Sequence, residues 1–329
     1  MAVIETDEEV SALLTDPKVS ACMVLYHSGE EALRAARCVN DSVVPVTFYV
    51  VDNSPEDDTA DEIKRQYPRT TVLRMKKNVG YGAGNNAVIP KLKTKYHIVM
   101  NPDITFAPDL IKRMMDFMDA NPKVTILSPR VFSPDGTEQF LPRCTPTVRY
   151  LLGGRRAACG DRHGEKARAL RERAAQTEAE AVEAWKRNKE KPGLRSLLRA
   201  NRLEACQSIL KKRADRQEAI CKRLHAWRDE YTLADTRPSE PTEIQFASGC
   251  FFMIRTHIYY RMKGFDPRFF LYHEDSDLSL SALEYGKIVY HPDMEVTHAW
   301  HRDSSRSLKP ALRHIVSTVK FFNKWGWRW

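Results

Sequence analysis

Short, unbroken apolar runs recur through the first 140 residues, each followed by a polar stretch of helical character, and this alternation restricts the fold more than any other feature. VSACMVLY (19–26), VTFYVVD (46–52), TTVLRM (70–75), YHIVMN (96–101) and VTILSP (124–129) read as buried strands. Helices are expected around residues 30–40, from Glu56 to Arg65, and near 83–93 and 108–120. This pattern predicts an α/β fold with a mostly parallel sheet flanked by helices on both faces. Sheets of that kind bind ligands at the carboxyl ends of their strands. Three strands here run directly into polar motifs: His27-Ser28 after the first, Asp52-Asn53-Ser54 after the second and Asn101-Pro102-Asp103 after the fourth.

The texture changes between about residues 153 and 235. Strand signals vanish, Ala, Arg, Glu, Lys and Leu dominate, and KEKPG (189–193) interrupts two helical stretches. Arg155 to Asp235 carry 21 Lys/Arg against 13 Asp/Glu, an excess of eight that accounts for nearly all of the net +9. The expectation is a basic antiparallel helical hairpin inserted in the sheet domain. Globular texture then returns: FASGCFFMI (246–254) is a strand, a helix follows near 256–263, and another runs from about Asp275 to a C-cap glycine at Gly286. KIVYHP and MEVTH read as two further short strands. The last segment predicts an amphipathic helix with Leu312, Ile315, Val316, Val319 and Phe322 on one face, running into FFNKWGWRW. Four segments are therefore expected, bounded at 1–152, 153–235, 236–305 and 306–329.

Several classes fall away on composition. At 42% hydrophobic residues the chain supports a sizeable core and is not wholly disordered. No run of about 18 apolar residues predicts a spanning helix. The acidic start, MAVIETDEEV, lacks the apolar stretch of a secretory signal, and seven scattered cysteines give neither a disulfide framework nor a thiolate zinc site. A cytoplasmic location is expected. The basic segment suits nucleic acid, anionic lipid or a phosphate-bearing substrate. Its tryptophans are Trp185 and Trp227 alone, without interleaved aromatics or a nucleic-acid motif, so no nucleic-acid partner is expected. A nucleic-acid-binding protein led by this hairpin remains the alternative of another class.

Four constellations could carry chemistry. NVGYGAGNN (78–86) places Gly80, Gly82 and Gly84 between a strand and a helix, but a dinucleotide fingerprint would need glycine where Asn85 stands. Asp103, behind a strand end and a proline, is placed to hold a hard cation such as Mg²⁺ or Mn²⁺ together with substrate phosphate. His273-Glu274-Asp275-Ser276-Asp277 crowds three carboxylates into four residues, which raises at least one pKa toward the range of a general base. Helix capping would explain Asp277 but not two further acids before it. His298 is a possible metal ligand, whereas a zinc site from His291, His298 and His301 has unhelpful spacing.

Taken in order, VVDNSPEDD, NVGYGAGNN, VMNPD, SGCFFMIR, GFDPRFFLYHEDSDLSL and GKIVYHPDMEVTH resemble glycosyltransferase family 2, most closely its rhamnosyltransferase-like members. The segment YTLADTRPSEPTEIQFASG (231–249) resembles the one those enzymes place before an acceptor-side strand. The resemblance covers roughly residues 19–150 and 231–305. It implies a GT-A fold and inverting, metal-dependent transfer from a nucleotide-sugar. The implied donor is dTDP-β-L-rhamnose, with UDP-galactofuranose or UDP-glucose as alternatives. The implied acceptor is a lipid-linked saccharide or polysaccharide in cell-surface glycan synthesis, and a catalytically dead scaffold is disfavoured by the retained acids. Asp52 matches the acid that contacts the nucleoside, and His27 and Ser28 occupy the first-strand loop. Asn78, Gly80, Gly84 and Asn85 match the loop beside the donor. Asp103 matches the last acid of the D-x-D metal motif, whose first position is here Asn101, on the donor side. Asp275 matches the base, with Glu274 beside it, and His298 matches a late metal ligand. A basic, aromatic tail near a lipid-linked acceptor also implies an anionic membrane surface as a partner, with the enzyme peripheral at the inner face of the cell membrane.

Overall fold

A computed structural model describes residues 18–54, 56–139, 141, 143–234, 238–299 and 308–329; the acidic N-terminus, His301 and Arg306 lie outside them. The five apolar runs become β1 (Val19–Leu25), β2 (Val46–Asp52), β3 (Thr71–Arg74), β4 (Tyr96–Met100) and β6 (Val124–Phe132). To these are added β5 (Ile104–Phe106), β7 (Thr242–Ile244), β8 (Phe251–Arg255) and β9 (Lys287–His298). The strands form one sheet in the order β3-β2-β1-β4-β8-β6-β9-β5, with β7 also paired to β9. Pairings among β3, β2, β1 and β4 are parallel. Beyond β4 the sheet is mixed: β8 runs antiparallel to both β4 and β6, and β5 and β7 run antiparallel to β9.

All seven residues of β1 are buried, as expected of a strand covered on both faces. Val19, Ala21, Met23 and Leu25 join one core with α1 (Gly29–Asn40) and α4 (Leu110–Ala120). Cys22 and Val24 join a second with Phe252, Tyr259 and Phe265. In α1 the buried residues Ala32, Ala35, Ala36 and Val39 follow the three-and-four spacing of a helical face. The buried Arg255 at the end of β8 donates to the carbonyls of Val124, Met118 and Asn121 at 2.8, 2.7 and 3.1 Å, and so closes the C-terminal end of α4.

The remaining helices of the sheet unit are α2 (Thr59–Gln66), α3 (Tyr81–Asn86), α7 (Thr256–Arg261), α8 (Glu274–Ala282) and α9 (Leu308–Trp325). Three expectations change. The helix near 83–93 is only α3 followed by a 3₁₀ turn at Ile89–Lys91, because Pro90 interrupts the donor ladder. Helix α8 ends at Ala282, and Gly286 is not its cap: a Cβ there would lie 2.5 Å from the Lys123 carbonyl, so close strand approach requires the glycine. KIVYHP and MEVTH form one twelve-residue strand, β9, which absorbs Pro292 at a register shift between Pro129 and Arg130 of β6.

The chain divides into two compact units. The sheet unit uses residues up to Thr145 and from Thr232 to Arg328, and the other spans Pro146–Tyr231. The second unit consists of α5 (Val148–Glu190) and all but the last residue of α6 (Leu194–Thr232). Contacts of His163 with Gln217, Glu178 with Lys211 and Trp185 with Glu204 show the helices running antiparallel. Gly160, Ala167, Ala174 and Ala181 recur every seven positions in α5 and are buried, as are Ala200, Leu210 and Ala214 in α6. A Cβ at Gly160 would lie 2.7 Å from the His225 ring, so the helices approach through that gap.

Candidate active site

The end of β4 and the beginning of β8 lie side by side because Met100 pairs with Phe251. The far end of β9 meets the loop before β5 because His298 pairs with Ile104. These two pairings bring Asn101, Asp103, Gly249 and His298 to one end of the sheet, although they come from three distant stretches of chain.

Asp103 and His298 are the centre of this cluster. His298 Nε2 stands 3.3 Å from Asp103 Oδ1 and 3.4 Å from Asn101 Nδ2. On the other side of the ring, Nδ1 lies 3.1 Å from Gln139 Oε1, while Gln139 Nε2 donates to the His298 carbonyl at 2.8 Å. With Gln139 Oε1 accepting, Nδ1 carries a proton and Nε2 faces the carboxylate. Asp103 Oδ1 is buried and has no hydrogen-bond partner. A carboxylate oxygen and an imidazole nitrogen facing each other at this distance are the kind of donors a divalent metal takes, so these residues fit one. Two protein donors, one oxygen and one nitrogen, suit Mn²⁺ or Mg²⁺ completed by phosphate oxygens and water. No group of three or more His, Cys, Asp or Glu that could hold a metal occurs among the described residues. Asp103 also borders a cavity of about 220 Å³ shared with Arg34, Thr105 and Thr297.

Asp275 and Glu274 open α8, after Tyr272 and His273, both at positive φ (70° and 63°). Asp275 Oδ2 accepts from the Gly249 amide at 3.0 Å and Oδ1 from the Ser276 amide at 2.8 Å. A Cβ at residue 249 would come within 3.3 Å of the Asp275 Cβ, so a glycine lets the carboxylate close on the backbone. Tyr81 fixes the same segment by donating to the Gly249 carbonyl at 2.5 Å. Burial pushes the Asp275 carboxyl above its ordinary value, against the pull of its backbone hydrogen bonds. Glu274 is pushed well above, first by burial and then by the neighbouring Asp275, and its Oε2 has no partner. Both carboxyls are thus shifted upward, Glu274 the further, while Asp275 is the partly exposed member and the one held by backbone amides. The adjoining Cys250 carbonyl accepts from the Asn101 amide at 2.8 Å, so residues 249 and 250 join Asp275 to the Asp103–His298 pair.

A second group lies at the ends of β1, β2 and β3. Asp52 is 1% exposed; its Oδ1 accepts from the Ser54 amide at 2.9 Å, and its Oδ2 lies 3.7 Å from Arg74 Nη1. Asn53 Nδ2 donates to the Gly80 carbonyl at 3.2 Å, tying this strand end to the glycine loop. Asn78 Oδ1 accepts from the Gly80 amide at 2.9 Å. Gly80 has φ +91°, and a Cβ there would lie 2.4 Å from the Phe270 carbonyl. Gly84 packs against Val24, and Asn85 is fully buried with its amide donating to the Tyr81 carbonyl at 3.1 Å. His27, at φ 52°, is half exposed and lies 3.6 Å from Glu56 and 3.8 Å from Asp57. Ser28 Oγ accepts from the Tyr26 amide at 3.2 Å.

Sequence reasoning missed Gln139, Gly249 and Tyr81. It also missed the role of Asp277, whose Oδ1 accepts from Trp325 Nε1 at 2.7 Å and pairs with Lys324 at 2.6 Å, and which makes no capping bond to its own helix. His291 packs on Phe117, and its Nδ1 accepts from the Asp293 amide, away from His298.

The pattern described as Glycosyl transferase family 2 matches residues 20–175. The chain is a glycosyltransferase. This glycosyltransferase is 25% identical over 292 residues to the N-acetylglucosaminyl-diphospho-decaprenol L-rhamnosyltransferase of Mycobacterium tuberculosis, in both strains CDC 1551 / Oshkosh and ATCC 25618 / H37Rv. That alignment takes in 84% of this chain and 74% of the relative. Rhamnosyltransferase WbbL of Escherichia coli K12 is 32% identical over 82 residues, 24% of this chain and 31% of that one. Among solved structures, the mannosyltransferase PcManGT from Pyrobaculum calidifontis, in complex with GDP-Man and Mn²⁺, superposes with a TM-score of 0.50 at 10% identity. TarS 1-349 of S. aureus in complex with UDP gives 0.51 at 12%. Each likeness covers 93% of the present chain but only 65% and 66% of the other, just under two thirds of its length. At these identities the likeness shows the fold alone, and that fold is GT-A.

Proposed function

We propose that this glycosyltransferase inverts the anomeric carbon as it moves L-rhamnose from dTDP-β-L-rhamnose to a lipid-diphosphate-linked saccharide in bacterial cell-surface polysaccharide synthesis. The observation that carries the reading is the single backbone step, Gly249 to Cys250, that joins Asp275 to the Asp103–His298 pair. Inversion needs one base for the acceptor and a cation on the leaving diphosphate; Asp275 is placed for the first role, and Asp103 with His298 would hold the second. The rhamnosyl donor and lipid-linked acceptor rest on the relatives, named for that sugar and for a decaprenol diphosphate.

Asp275 takes the acceptor hydroxyl proton as the oxygen attacks the anomeric carbon, and the bond from that carbon to the diphosphate breaks with its electron pair leaving on the nucleotide. Asp103 and His298 would hold Mg²⁺ or Mn²⁺, which when bound neutralises the diphosphate charge so that no acid is needed to protonate it. Asp52 orients the nucleoside, with His27 and Ser28 in the adjoining loop. Asn78, Gly80 and Asn101 border the donor, whereas Gly84 and the fully buried Asn85 support the loop from beneath. The enzyme works peripherally at a membrane that presents its acceptor; no helix among the described residues is long and apolar enough to cross one.

The test is a nucleotide-sugar screen by thermal stabilisation with Mn²⁺, followed by transfer assays on a prenyl-diphosphate saccharide. Ligand at a hundred times its Kd adds about 2.7 kcal/mol, a readable shift. Stabilisation by UDP-galactofuranose or UDP-glucose but not by dTDP-rhamnose would reassign the donor.

A further inference from the structure

Helix α9 is apolar on two faces. Its inner face is used: Phe321 and Phe322 are each 1% exposed, Phe321 stacks on His273, and Ser317 Oγ donates to the Leu271 carbonyl at 2.8 Å. Thr318 Oγ1 lies 3.0 Å from His273 Nε2, and Trp325 and Lys324 reach Asp277. This face holds the segment 271–277 that carries Asp275. The outer face presents Leu312, Ile315, Val316 and Val319, which are 63%, 53%, 43% and 41% exposed. Their spacing of three, four and seven makes one continuous stripe. Packing of Val319 and Phe322 together against the sheet is therefore only half observed, for Phe322 is buried and Val319 is not.

We propose that this outer stripe is the surface by which the enzyme docks on an anionic bilayer, its helix lying in the plane of the interface. Charge selects the occupant. Residues 308–329 contain Lys309, Arg313, Lys320, Lys324 and Arg328 and no Asp or Glu. A basic helix with an exposed aliphatic stripe, followed by the exposed Trp327, is matched by acidic headgroups over an acyl boundary. An acidic protein groove would need none of the interfacial aromatic, and a second copy would set one basic helix against another. The proposal deepens the lipid-linked reading above and rests on it for the reason a bilayer is near. It adds that the helix anchoring the enzyme is also the buttress of the base segment.

The full chain is tested by co-sedimentation with phosphatidylcholine vesicles and with vesicles of equal parts phosphatidylcholine and phosphatidylglycerol. Leu312→Gln, Ile315→Gln and Val319→Gln together change only exposed side chains to a good helix former. The wild type is expected to sediment with anionic vesicles and not with neutral ones, and the triple variant to partition at least about tenfold less. Its melting temperature and transfer to a soluble, short-chain acceptor should be unchanged. Undiminished vesicle binding by the variant, as the basic hairpin alone could give, would overturn the proposal. So would equal binding to neutral vesicles, or a wild-type dimer that the three substitutions dissociate. Vesicle binding without rhamnosyl transfer would sink the donor reading and leave the docking surface standing.

Discussion

Asp275 and Glu274 are neighbours with opposite fates. Two backbone amides pull the raised Asp275 carboxyl back down, whereas burial and then the neighbouring Asp275 push Glu274 well above the ordinary carboxylate range. Asp275→Asn should therefore lower turnover by about 10²–10⁴-fold while donor stabilisation survives. Glu274→Gln replaces one neutral group with another and should leave turnover near normal, with an acid limb of the pH–rate profile still above the ordinary carboxylate value of about 4. The stability of that variant has a definite sign. A carboxyl whose folded pKa is raised binds its proton more tightly in the native state, so its contribution is present at low pH and lost as pH rises through that raised value. Removing it should raise the melting temperature at neutral pH and change nothing below about pH 4. Thermal scans across pH with no such crossover would contradict the protonated Glu274. Gln139 makes the other residue-scale case. Gln139→Leu keeps bulk but removes the acceptor that sets the His298 tautomer, and Mn²⁺ affinity read by electron paramagnetic resonance should weaken by about 10- to 100-fold. The places of Asp103, Asp275 and His298 at strand and helix ends were legible in sequence because each stands in a local motif. Gln139 was not, because its partner is 159 residues away and its surroundings, an Asp-Gly-Thr turn, signal only a reversal.

At the scale of elements, the glycine loop shows how a packing constraint imitates a binding motif. Gly80 is required twice over, by φ +91° and by the Phe270 carbonyl that a Cβ would strike. Gly80→Ala should destabilise the protein by about 1–3 kcal/mol and push apart the loops at 78–81 and 265–271, weakening donor binding along with the melting temperature. An alanine variant of normal stability would mean that the contact yields. The apolar runs announced β1 to β4 and β6 because strands buried on both faces must be continuously hydrophobic. The direction of β8 was not legible: an apolar run does not record from which end of the sheet the chain re-enters. Gly286 misled for a related reason, since a glycine after a helix reads as a cap whether its backbone or a neighbouring carbonyl demands it.

The chain leaves the sheet unit after Thr145 and re-enters it at Thr232. Arg143 Nη1 donates to the Thr232 carbonyl at 3.2 Å, and the Arg143 carbonyl accepts from Gln245 at 2.8 Å, so the sheet unit itself holds together the two points where the chain leaves and returns. Replacing residues 146–231 with a short Gly/Ser linker should leave the sheet unit folded and its donor stabilisation intact, while transfer to the lipid-linked acceptor falls. Loss of nucleotide-sugar binding in a folded excision variant would contradict that division of labour. The excised piece has a metric of its own. Because Gly160, Ala167, Ala174 and Ala181 recur every seven residues, removing or adding seven in each arm restores the same seam, one step shorter or longer. Each step is about 10 Å of helix. The hairpin is thus a graduated ruler, which inheritance or an engineer could lengthen by whole divisions without rewriting a single contact of the sheet.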